Sequence, residues 1–205
     1  MKKILITAFD PFGGESINPS QEAVARIPAR IGDSQIVKLT VPTSFARSFE
    51  TVWSAIEKEN PDYVVMVGQA GGRTEITPEK QALNRIDARI PDNDGFQPSG
   101  QTIIADAPEA YQSTLPVEQF VQALSDSGVP ARLSETAGAF VCNYLFFRVM
   151  DYLKNDSHTK AGFVHIPYET GQLQGKPDAF AMPIEEIVRG LEIMIRVLEK
   201  GSERG

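Results

Sequence analysis

The side chain best suited to chemistry in this 205-residue sequence is its single cysteine, Cys142. It lies where turn-forming residues (Ser134-Glu135-Thr136-Ala137-Gly138) give way to a long apolar-periodic run. That pattern predicts a helix with Cys142 in its first turns, where the positive end of the helix dipole favours a thiolate. Downstream, Gly162-Phe163-Val164-His165-Ile166-Pro167-Tyr168 has the β-branched, apolar character of a strand and carries a histidine. A cysteine and a histidine far apart in the chain form a nucleophile and base pair once folding joins them. The same residues also fit an inert buried thiol and a satisfied structural imidazole.

Two further segments carry unusual residues. Gly68-Gln69-Ala70-Gly71-Gly72-Arg73 follows a strand-like run, and closely spaced glycines there let backbone N–H groups turn toward a developing negative charge. Glu79 and Arg89 are the charged candidates beyond it. Near the N-terminus, Phe9-Asp10-Pro11-Phe12-Gly13-Gly14 lacks both the G-x-G-x-x-G spacing and the Gly-Lys-Ser/Thr of phosphate loops. Its two phenylalanines fit either a pocket wall or a plug at the strand end. His158 sits in a polar stretch and reads as surface. One cysteine and two histidines are too few for a conventional zinc site, so no metal and no cofactor are expected.

The elements that must position these groups alternate between strand and helix. Lys2 to Ala8, Gln35 to Val41 and Asp62 to Val67 read as strands, the last bounded by Pro61 and Gly68. Asn18-Pro19-Ser20-Gln21 reads as a helix start with a capping box. Thr43 or Ser44 is expected to cap a helix bearing Phe45, Phe49, Val52, Trp53 and Ile56 on one face. Further on, Gln81 to Ala88 and Ala131 to Ser134 read as strands. Helices are expected from Pro116 to near Gly128, from Cys142 to about Asn155, and from Met182 to Lys200. This alternation predicts an α/β fold: a single-domain, three-layer α/β/α sandwich over residues 1–205 around a mostly parallel twisted sheet. Ligands then bind beyond the carboxyl ends of the strands, where the loops after the first, third and His165 strands share one rim.

Composition narrows the function classes. The formal net charge is −7 with acids and bases interspersed, so no basic stripe offers itself to nucleic acid. No apolar run is long enough to span a bilayer. The Ile4–Phe9 run is too short for a signal peptide and is broken by Asp10-Pro11. With one cysteine, no intrachain disulfide can form, which fits a cytoplasmic protein.

Four blocks carry a family pattern. They are Thr7-Ala8-Phe9-Asp10-Pro11-Phe12-Gly13-Gly14 with Asn18-Pro19, the run from Gly68 through Ile76-Thr77-Pro78-Glu79-Lys80-Gln81-Ala82-Leu83-Asn84, Ala137-Gly138-Ala139-Phe140-Val141-Cys142-Asn143, and Phe163-Val164-His165-Ile166-Pro167-Tyr168. In this order and spacing, over essentially the whole chain, the sequence resembles the pyroglutamyl peptidase I family of cysteine peptidases. The resemblance implies a triad of Cys142, His165 and Glu79 acting on peptides with an N-terminal pyroglutamate through a thioester. It also implies oxyanion or orienting groups at Arg89 and Gln69, and a lactam pocket of Phe9, Phe12, Thr43, Ile90, Phe140, Val141 and Leu145, with the ring stacked between aromatics. Homo-oligomers, expected as tetramers, follow from the same resemblance. Two positions depart from the family pattern: Gln81 replaces an apolar residue, and Glu169-Thr170-Gly171-Gln172 replaces an apolar-Pro-Glu-Gln run, which predicts a more mobile loop.

Three other readings share this organisation. A nucleoside phosphorylase would need several phosphate ligands, and the loops offer mainly Arg73 and Arg89. A cysteine amidohydrolase acting on another small amide would use the same triad. A non-catalytic binder would keep the pocket alone.

Overall fold

Near-continuous apolar runs have become the central strands of a six-stranded sheet. The computed structural model describes residues 1–176 and 178–201. Its elements are β1 (Lys3–Phe9), α1 (Pro19–Arg26), β2 (Arg30–Ile31), β3 (Ser34–Val41), α2 (Ser48–Glu59), β4 (Tyr63–Gln69), β5 (Thr77–Pro78), β6 (Gln81–Leu83), β7 (Ala110–Gln112), α3 (Val117–Asp126), α4 (Val141–Tyr152), β8 (Lys160–Ile166), β9 (Tyr168–Glu169), β10 (Ala181–Met182) and α5 (Ile184–Lys200). The main sheet runs β2-β3-β1-β4-β8-β5, parallel except for its outermost pairs β2–β3 and β8–β5. Small two-stranded pairs, β6–β7 antiparallel and β9–β10 parallel, lie outside it.

β4 is buried along its whole length, which explains why its sequence shows no polar alternation. Strand periodicity divides the interior into two cores. Ile4, Ile6, Val65, Val67, Val164 and Ile166 face α1, α3 and α5. Leu5, Phe9, Val64, Met66, Ala161 and Phe163 face α2 and α4. α5 closes the first core with Ile187, Leu191, Met194, Ile195 and Leu198, a spacing that keeps one stripe inward. Helices therefore cover both faces of the sheet. Among the described residues, no helix is long and apolar enough to cross a membrane.

Several boundaries differ from the sequence reading. α2 begins at Ser48 because residues 42–47 form a turn, in which Ser44 already accepts from the Arg47 and Ser48 amides. Phe45 thus precedes the helix, and Trp53 is on its exposed side. The Asn18 carboxamide caps α1 through the Ser20 amide. Only Gln81–Leu83 of the expected Gln81–Ala88 strand forms a ladder, and Ile86 adds a single antiparallel bridge to Gln101. Beyond that ladder, Asn143 Nδ2 donates to the Leu83 and Arg85 carbonyls (2.8 and 2.9 Å), and a side chain replaces it. The 131–134 segment makes single parallel bridges to Ile76 and Glu79 rather than a strand. α4 stops at Tyr152, and Met182 belongs to β10, before α5.

Candidate active site

His165 comes near the end of β8, on the face of the sheet that carries Phe163 and Ala161. Its neighbours in register are Gly68 of β4 and Thr77 of β5. Gly68 has to be a glycine: a methyl group there would come within 2.8 Å of Phe163 Cζ and 3.0 Å of Cys142 Sγ. The missing side chain makes the space that the sulfur occupies.

Cys142 is the second residue of α4, after Phe140 in extended conformation as the cap. Gly138, with φ 82°, makes the left-handed turn that leads the chain into the helix. The Cys142 amide belongs to the first turn, whose N–H groups have no carbonyl one turn earlier to bond. Asn143, wholly buried, bonds Leu83 N–H through Oδ1 (2.9 Å) in addition to the two carbonyls named above. It thereby fixes the Cys142 helix to the segment that carries Glu79 and Arg89.

Glu79 follows β5 and is fully buried, its amide bonded to the Phe163 carbonyl at 2.9 Å. Its Oε1 lies 2.7 Å from His165 Nδ1 and 2.7 Å from Arg73 Nη1, while Oε2 has no protein partner. A carboxylate at Nδ1 selects the Nδ1–H tautomer and leaves the Nε2 lone pair for a proton from the thiol.

Electrostatics correct one expectation. Burial pushes the Cys142 thiol up to about 12, and Glu79 adds to this, against the opposing pull of Arg73 and the cysteine's own backbone N–H. The residue keeps some surface on the cavity, but desolvation around the sulfur outweighs the helix terminus. His165 is moved below its ordinary value, chiefly by burial, against the upward effect of Glu79. Both directions favour a thiol and a neutral imidazole over a preformed thiolate in the resting pair.

A cavity of about 790 Å³ opens over these groups, lined by Phe12, Gln69, Arg73, Arg89, Phe140, Cys142, His165 and Tyr168 among others. Of the residues expected to bind substrate, Phe12, Ile90 and Phe140 line it, as do the expected orienting groups Gln69 and Arg89. Phe9, Thr43, Val141 and Leu145 stand behind the wall. Phe9 packs on Phe163, the Thr43 amide is bonded to Asp10 Oδ1, and Val141 and Leu145 are fully buried in the core. Phe12 and Phe140 touch each other, with centroids 6.0 Å apart. A third ring between them needs about 7 Å at van der Waals spacing, so they offer one aromatic wall rather than a slot.

Gln69 Oε1 accepts from Gln172 Nε2 at 2.9 Å. Gln172 in turn boxes the 3-10 turn Thr170–Gln172 against Glu169, so the segment expected to be mobile is tied to the cavity wall. The contact of Arg73 with Glu79 escaped the sequence reading, and the buried Asn143 did too. Nothing but their proximity in sequence to Glu79 and Cys142 signalled either. Among the described residues, no cluster of His, Cys, Asp and Glu side chains is arranged to hold a metal ion.

Residues 2–200 match the model of a family described as pyroglutamyl peptidase. The chain is 46% identical to a pyrrolidone-carboxylate peptidase of Lactobacillus johnsonii, over 99% of this chain and 95% of that one. It is 48% identical to one of Clostridium perfringens, over 96% and 92%. Among solved structures, pyroglutamyl peptidase I of Bacillus amyloliquefaciens superposes with a TM-score of 0.91 at 45% identity, covering 95% of each chain. Pyrrolidone carboxyl peptidase of Thermococcus litoralis gives 0.91 at 38% identity, covering 98% and 96%.

Proposed function

Since the chain belongs to the pyroglutamyl peptidase family, we propose a role for each group on its cavity wall. The protein is a cysteine-type peptidase that removes an N-terminal pyroglutamyl residue from peptides. Cys142 Sγ attacks the carbonyl that joins the lactam to the next residue, as its proton passes to His165 Nε2. The carbonyl oxygen takes the negative charge and is met by the Cys142 backbone N–H and the Arg89 guanidinium, which has no ion-pair partner among the described residues. Collapse breaks the C–N bond, and His165 gives its proton to the leaving amine. Water then attacks the thioester, giving its proton to His165, and free pyroglutamate leaves as the thiol is restored.

Glu79 holds the imidazole in the required tautomer and stabilises its protonated form. The lactam lies flat on the Phe12–Phe140 wall. An uncyclised N-terminal ammonium would lose its water there, and the cavity carboxylates Glu15 and Asp87 are already paired with Lys176 and Arg85, which accounts for selectivity toward the closed ring. The observation that carries this assignment is the 2.7 Å bond of His165 to buried Glu79 on the cavity that Cys142 also lines. The test is release of a fluorescent amine from a pyroglutamyl amide by wild type and by Cys142→Ala. Hydrolysis lost only in the folded variant supports the nucleophile, and equal rates reject it. Exposed apolar side chains at Trp53, Phe96 and Phe180 support self-association, and the expected tetramer is tested by light scattering.

A further inference from the structure

Glu79 is asked to serve two partners with one oxygen. Its Oε1 contacts both His165 Nδ1 and Arg73 Nη1 at 2.7 Å, while its buried Oε2 has no protein partner. Arg73 is itself anchored twice. It hydrogen-bonds Thr77 Oγ1, from the strand position paired with His165, and it donates through Nη2 to the Thr136 carbonyl at 3.3 Å. Thr136 lies in the loop that leads into α4 and Cys142. Arg73 therefore touches the segments that carry Glu79 and Cys142, and Thr77 links it to the His165 strand.

Resting on the peptidase reading, we propose that Arg73 is a positioning residue of the catalytic relay: it balances the charge of buried Glu79 and fixes which carboxylate oxygen meets His165. A buried carboxylate beside an imidazole, with no third group, favours the imidazolium in the resting site and so removes the base before the thiol needs it. A cation on the same oxygen offsets that preference. Its geometric role is separate, because a guanidinium fork spans Glu79, Thr77 and Thr136 where an ammonium could satisfy fewer of them.

The charges around His165 are consistent in sign. Glu79 moves the imidazole up, and Arg73 moves it down. The other titratable groups on the cavity are Cys142, Glu15, Asp87, Arg89 and Tyr168. Glu15 engages Lys176 and Asp87 engages Arg85, so neither of those cations replaces Arg73 as the partner of Glu79.

The experiment compares wild type, Arg73→Gln and Arg73→Lys in two readouts. The first is the His165 imidazole titration followed by NMR, which needs no substrate and has His158 as the only other histidine signal to separate. The second is the pH profile of kcat/KM on a pyroglutamyl amide. In Arg73→Gln the His165 midpoint and the acid limb both move upward, and kcat/KM at the optimum falls about 10- to 100-fold. Arg73→Lys keeps the midpoint near wild type while still losing about tenfold in rate. An unshifted midpoint in folded Arg73→Gln overturns the proposal. If that variant fails to fold, Arg73→Lys decides alone: wild-type kinetics, or a moved midpoint, overturns it. A folded wild type that hydrolyses no pyroglutamyl amide, with the midpoint still shifted in Arg73→Gln, sinks the peptidase roles and leaves this one standing.

Discussion

The two cores on either side of the sheet are built from different materials. Beneath α1, α3 and α5 the packing is aliphatic, with Phe120 the one buried phenylalanine. Beneath α2 and α4 it is aromatic, with Phe9, Phe45, Phe146, Phe147 and Phe163 buried and Phe140 partly so. Only the second side reaches the cavity, through the Phe45–Phe140 and Phe12–Phe140 contacts and the Phe163–His165 rings 4.8 Å apart. Branched aliphatics on a long helix supply area and stability. Flat, stiff rings supply a surface whose position is set by a few torsions, which suits holding Cys142 and His165 in place.

This contrast can be broken from either side. The largest effect belongs to Cys142→Ala, which lowers kcat by about 10⁴-fold or more without altering thermal unfolding, read by fluorogenic hydrolysis and calorimetry. On the aliphatic face, Leu191→Ala costs about 2–5 kcal/mol in denaturant unfolding and leaves kcat/KM unchanged at a temperature where the variant is folded. A matching loss of activity would mean that the two sides are not independent. Gly68→Ala sharpens the opposite case. Its methyl presses on Phe163 and Sγ, so kcat falls about 100-fold with the sulfur displaced. The smallest effect is on pH dependence. His165 must be neutral to accept the proton, and its value is lowered, so the acid limb of kcat/KM is expected below 6.5. Since Glu79 raises that value, Glu79→Gln moves the limb further down, and an upward move would contradict the geometry.

Much of this was legible in the chain. The β4 run and the α5 periodicity each reflect a single dominant force, burial, and both were read to within a residue or two. Cys142 and His165 could be singled out by type, while the place of Glu79 required the family pattern. What escaped was decided by side chains that replace backbone ladders. Asn143 takes the carbonyls that would have extended β6, and Ser44 ends a turn before α2 begins. The cavity lining was only partly legible for a related reason. Phe9, Val141 and Leu145 stand close in sequence to residues that line the cavity, but the pleat and the helix turn send them inward. Arg73 could not be read as a partner of Glu79 because the pair forms only when β5 turns back along β8.

The pairing of Gly68 with His165 has an experimental use. A slip of β8 by one residue would turn the imidazole to the aliphatic side, away from the sulfur, with almost the same helix and strand content. Circular dichroism would be nearly blind to such an error, whereas turnover would vanish in every affected molecule. Specific activity per titrated thiol is thus a count of correctly threaded chains, and it can grade refolded preparations that look alike by spectroscopy.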